Sequence, residues 1–177
     1  MKLKHAMEPT TDIFGIPVPS TEKSFLVIVV VHILISLSCV ISGLVAMLTN
    51  KTGRVHPAAG KVYYYGMAGS FLTIIILAIM SWPRNTHLLI IGVIAFCCAK
   101  LGRDKAKKTN TKRWTRPHTL LMGFSYIFLL TGFYIDNGKN LPFWRQFPQL
   151  FFWVFPTIIG LPIILYVLKK HPLNKVA

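Results

Sequence analysis

Acidic side chains are scarce in this chain. Its 177 residues include only 5 Asp and Glu, against 20 Lys and Arg. Chemistry that needs paired carboxylates has almost nothing to draw on. No acid falls in the middle of an apolar run. That disfavours a transporter or lipid-handling protein coupled to a proton or cation at membrane depth. A glycine-rich phosphate loop and a nucleophile elbow are both missing, so nothing supports hydrolysis or phosphoryl transfer. Cysteine is rare too. Cys39, Cys97 and Cys98 all lie inside apolar runs, and an odd number of bilayer-buried thiols does not make a disulfide framework. No cleavable leader is expected, because the first 23 residues are polar and the apolar run after them is too long for a signal core.

Apolar runs are what the sequence has in quantity. The chain is 53% hydrophobic with a mean hydropathy of +0.54, a membrane composition rather than that of a soluble core. The formal net charge of +15 sits in short loops between those runs, so membrane topology explains it and nucleic acid is not an expected partner. The expected fold is an all-α integral membrane protein, a bundle of five transmembrane helices. They fall at 24–49, about 57–82, about 87–101, 118–135 and 151–169. A polar tail, 1–23, precedes the single domain at 24–170, and a short tail, 171–177, follows. Pro156 and Pro162 should kink the fifth helix. With five spans, one side collects 6 Lys/Arg and 4 acids and the other 14 Lys/Arg and 1 acid. Positive loops stay cytoplasmic, which places the N-terminus outside and the C-terminus inside.

The chain is organised around Arg113 to Gly138, RWTRPHTLLMGFSYIFLLTGFYIDNG. It carries no charge between Arg116 and Asp136, is long enough to cross a hydrocarbon core of about 30 Å, and holds His118 in its first turn. Three other histidines fall into register with it. His32 and His87 sit on descending helices in the outer half. His56 and His118 stand where two ascending helices begin, at the inner boundary. His5 and His171 lie in the tails and are expected to be solvated. One outer pair and one inner pair, each drawn from two helices, is the arrangement that bis-imidazole ligation of haem b requires. The candidate ligands of haem iron are therefore His32 with His87 and His56 with His118.

Stepping by three or four from these residues gives small or weakly polar stripes. They are Ser36, Cys39, Gly43 and Ala46 from His32, then Gly60, Tyr63, Met67 and Ser70 from His56, then Met122, Ser125, Leu129 and Gly132 from His118. Such stripes leave room for a porphyrin, although close helix packing is their commoner use. The face that continues from His87, with Ile91, Ile94 and Cys98, has no small stripe. A histidine at a helix end is more often an interfacial hydrogen-bonder than a ligand, and His56, just before Pro57, also suits a cap. A weaker alternative is a Cu or Zn site from His32, Cys39, Cys97 and Cys98, with small apolar packing as the plain reading of the thiols.

The segment 100–116 carries eight basic residues in seventeen. It serves as a topology determinant or as a site for anionic lipid headgroups. Trp82, Trp114, Trp144 and Trp153 fall near span ends, as interface anchors do. Asp136 is placed to orient an outer histidine or to cap the turn at Asn137-Gly138.

Two stretches, GRVHPAAGKVYYYGM and RPHTLLMGFSYIFLLTGFYIDNGKNLPFW, together with FFWVFPTIIGLPII, resemble an uncharacterised family of prokaryotic multi-spanning membrane proteins. The likeness covers most of 24–170. It implies a multi-spanning bundle and brings no established activity. Where that family has a basic residue after the first-loop histidine, this chain has Pro57. The four helix-borne histidines in two layers are also similar, by architecture alone, to diheme b-type membrane cytochromes. The expected function is a small b-type cytochrome-like protein of the bacterial inner membrane. It would carry one or two haems and exchange electrons with quinone or a larger respiratory complex. The alternative is an accessory subunit of such a complex without a cofactor of its own.

Overall fold

A computed structural model describes residues 11–13, 16–18, 22–51, 53–107 and 115–170. His5, His171, Trp114, the C-terminal tail and the middle of the basic segment lie outside them. The helices are α1 (Lys23–Leu48), α2 (Val55–Met80), α3 (Thr86–Lys107), α4 (Thr115–Asn137) and α5 (Gln149–Lys170). A small antiparallel hairpin, β1 (Thr11–Ile13) and β2 (Ile16–Val18), lies in the segment read as a polar tail. All five helices are long and apolar enough to cross a membrane, which makes the chain an integral membrane protein.

The outward faces agree. Val27, Leu34, Ile41 and Leu48 of α1 are spaced by sevens, and all are more than half exposed. A helix apolar both inside and out needs lipid around it rather than water. α1 packs on α2, α2 on α3, α3 on α4, and α4 returns to α1, closing a four-helix ring. α5 packs on the outside of α4. Short loops make the sequential neighbours antiparallel.

Buried apolar residues form two clusters. One, toward the start of α1 and called outer after the expected topology, includes Phe25, Leu77, Leu88, Ile135 and Phe152; the other, called inner, holds Cys39, Tyr63, Met67, Ala95 and Ala99. Small residues set the helix spacing. A Cβ on Gly43 would lie 2.6 Å from Tyr126 Cε2, and one on Gly66 would lie 2.6 Å from Cys39 Sγ. In lipid, such close approach supplies the packing energy that water-driven burial supplies elsewhere.

Helix boundaries differ from the sequence reading by a few residues, most of all at the end of α3. α3 runs on to Lys107 rather than stopping near Leu101. The extra turns, GRDKAK, lack an apolar pattern but contain good helix formers, and Gly102 lets α4 approach, with Met122 Sδ 3.0 Å from where a Cβ would sit. α2 begins two residues before Pro57, so His56 is inside its first turn, where a proline costs no hydrogen bond. α5 is continuous through Pro156 and Pro162.

Candidate functional site

The inner histidines meet. His56 in the first turn of α2 and His118 in the first turn of α4 have ring centroids 6.3 Å apart, with ring planes at 84°. Each ring is held by a backbone carbonyl of another helix. His56 Nδ1 lies 2.8 Å from the Ala46 carbonyl oxygen at the end of α1, and His118 Nδ1 lies 2.8 Å from that of Gly102 in α3. A carbonyl only accepts, so Nδ1 carries the proton on both rings. In the neutral imidazoles Nε2 is then left with a free lone pair. Metal-ligating histidines are oriented in the same way. Lys51 closes the end of α1 beside them, donating from Nζ to the carbonyls of Ala46 and Met47. Its partial burial there lowers its pKa from the ordinary lysine value.

His56 and His118 would each offer Nε2 to a metal held between them. The described residues contain no group of three or more His, Cys, Asp or Glu able to hold a metal ion. A bare ion at the pair would therefore have two protein ligands, short of the three or four a zinc site uses. Haem would need only two from the protein, because the porphyrin supplies the rest. The donor set fits haem on that count. Neither of the two cavities described below is lined by His56 or His118.

The outer histidines have different neighbours. His32 Nδ1 is 2.7 Å from Thr73 Oγ1 of α2, and its Nε2 is 3.4 Å from Ser36 Oγ. His87 packs against Trp153 of α5, with centroids 6.3 Å apart, and lies within electrostatic range of Asp136. His32 thus faces α2 and His87 faces α5. The acid expected near an outer histidine is beside His87.

The stripes also resolve. Gly43 is filled by the Tyr126 ring, whose hydroxyl donates to the Val40 carbonyl at 3.1 Å. Tyr63 and Ser125 meet in a buried 2.8 Å hydrogen bond between α2 and α4. Along this layer, close packing has taken the room that was expected for a porphyrin. His32, Cys39, Cys97 and Cys98 do not gather: Cys39 is buried with its thiol toward the Tyr63 carbonyl, while Cys97 is exposed. Trp144 is no simple anchor, since it stacks into a cluster with Tyr134, Phe151 and Phe155.

Sequence reasoning missed an outer cavity of about 520 Å³ between α1, α2, α3 and α4. Its walls include Phe25, Val29, Phe71, Ile74, Leu88 and Phe128. His32, Ser36 and Ser70 also line it, and Asn85, Asp136, Asn137 and Asn140 do so near the outer helix ends. Thr73, which holds His32, follows the Tyr63–Met67–Ser70 stripe by one more step of three, so the sequence did carry a trace of it. A smaller crevice of about 400 Å³ between α4 and α5 is lined by Arg116, Leu120, Leu165, Leu168 and Lys169.

Comparison with family models, curated proteins and solved structures found no significant match. The functional argument therefore rests on this geometry.

Proposed function

We propose that the protein is a small b-type cytochrome-like membrane protein that holds one haem through His56 and His118 and exchanges electrons inside the bilayer. The observation that carries this reading is the inner pair itself: two imidazoles from different helices, 6.3 Å apart, each fixed by a carbonyl at Nδ1. The haem would supply the electron transfer. The chain's own residues would bind it, set the ring tautomers and exclude water with the cluster of Tyr63, Met67 and Ala99. The Ala46 and Gly102 carbonyls would raise the basicity of the ligating nitrogens. His32 and His87 have no part in this reading as an axial pair, which favours one haem over two.

The proposal includes orientation. Lys and Arg concentrate on the side of the inner pair, so that side is cytoplasmic and the N-terminus is outside. The compartment is a bacterial inner membrane, and the partner is a respiratory or quinone-linked complex. The test is a visible spectrum, oxidised and reduced, of the full chain expressed with ample haem. A Soret band with sharp reduced α-bands is expected, and His56→Ala and His118→Ala should each remove it. No pigment, together with a stoichiometric partner in mild detergent, would instead favour an accessory subunit.

A further inference from the structure

α4 and α5 lie close together along the middle of their contact. A Cβ on Gly160 of α5 would sit 2.5 Å from Ile127 Cγ1 of α4, and one on Gly123 of α4 would sit 2.5 Å from Ile164 Cδ1 of α5. Small residues let two spans approach in this way. The register, Ile127 beside Gly160 and Gly123 beside Ile164, is antiparallel. Beyond Gly123, toward the end that carries His118, the helices part. They leave the crevice of about 400 Å³ between Arg116 and Leu120 of α4 and Leu165, Leu168 and Lys169 of α5.

The order of those residues gives the crevice two kinds of wall. Arg116 and Lys169 stand at its outer edge, one from each helix, and both are exposed. Leu120 and Leu165 each lie four residues further into the bundle, about 6 Å at 1.5 Å per residue. No acid lines the crevice. Asp136, the one acid of the two helices, is at the far end of α4. Leu165 is 48% exposed and α5 packs outside the four-helix ring, so the crevice faces the surrounding lipid. A single Arg or Lys at the end of a span is ordinary, since its head reaches the interface. Here two antiparallel spans bring one cation each to the same aliphatic crevice, at the depth where lipid headgroups lie.

That combination selects an occupant. A soluble anion would use the cations and leave the leucines idle. A lipid without net charge would use the leucines and bring no excess negative charge to two cations. An anionic phospholipid uses both: a guanidinium can take two phosphate oxygens at once, and an ammonium adds a point charge. We propose that the crevice between α4 and α5 binds one anionic phospholipid, its phosphodiester between Arg116 and Lys169 and an acyl chain along Leu120, Leu165 and Leu168. The lipid ties the two helices together at the end where they diverge. The site is more local than the basic segment 100–116, because half of it comes from α5. Neither His56 nor His118 lines it, so it stands or falls independently of the haem.

The test is native mass spectrometry of the delipidated full chain in detergent, titrated with dioctanoyl phosphatidylglycerol and, separately, with dioctanoyl phosphatidylcholine. The first phosphatidylglycerol should bind at least ten-fold more tightly than phosphatidylcholine, and millimolar inorganic phosphate should not displace it. Arg116→Gln and Lys169→Gln should each weaken phosphatidylglycerol about five-fold and leave phosphatidylcholine unchanged. Lys61→Gln removes an exposed charge near the start of α2, at the same end of the bundle but outside the crevice, and should change neither affinity. Circular dichroism checks that each variant keeps its helices. The proposal is overturned by equal binding of the two lipids, or by a folded Arg116→Gln or Lys169→Gln that binds phosphatidylglycerol as tightly as the parent. It is also overturned by a loss in Lys61→Gln as large as theirs, which would mean general charge attraction, or by displacement with inorganic phosphate, which would mean a simple anion site.

Discussion

The hydrogen bond between Tyr63 and Ser125 offers the sharpest test of how α2 and α4 are held beneath the cavity. The bond is 2.8 Å long, and its partners are 2% and 0% exposed. Removing either hydroxyl deprives the other of its partner, but the two losses should differ. In Tyr63→Phe, Ser125 can turn its proton to a carbonyl of its own helix, as Ser42 does to Ser38 and Thr131 to Ile127. The cost should then be near the common value for interhelical bonds in membranes, about 0.6 kcal/mol. In Ser125→Ala, the phenol of Tyr63 projects away from its own backbone and has no such retreat. An unsatisfied buried hydroxyl costs about 1–3 kcal/mol. The double variant leaves nothing stranded, so its cost should fall below the sum of the singles by about 1 kcal/mol, roughly five-fold in the unfolding equilibrium. Equilibrium unfolding in mixed micelles, or steric trapping in bicelles, reads all four corners of the cycle. Additive singles, or a Tyr63→Phe costlier than Ser125→Ala, would refute the reasoning.

Other outcomes follow from the same geometry. Gly43→Ala puts a methyl 2.6 Å from the Tyr126 ring and should cost about 1–3 kcal/mol, with partial recovery in a Tyr126→Leu background; both are read by the same unfolding assay. His118→Gln loses one carbonyl hydrogen bond and should shift stability by about 1 kcal/mol while removing the Soret band completely. A stability loss with the pigment intact would make the ring a staple and not a ligand. A reporter enzyme active only in the cytoplasm should work when fused after Ala177 and fail before Met1, and the reverse result would invert the proposed topology.

How much of this was legible in advance differs from element to element. Five helices could be read from run length, because an apolar stretch of about 20 residues has few other uses. The end of α3 could not, since GRDKAK carries no apolar period and is held as helix by propensity and by the close approach of α4 at Gly102. His56 and His118 could be paired because two helices that run the same way begin at one end of the bundle. Rise per residue predicts height well and azimuth poorly. For that reason His32 and His87, expected opposite each other, face α2 and α5 instead.

The order and number of spans, the charge of the loops and the position of each described histidine along its helix follow from the one-dimensional pattern, because rise per residue and the cost of charge in lipid act locally along a helix. Which faces meet does not. That was decided by interhelical packing, by Tyr126 seated on Gly43 and Cys39 on Gly66, and by the carbonyls that hold His56 and His118. The outer cavity exists only where four helices fail to close, a property of their mutual rotation that no single helix carries in its sequence.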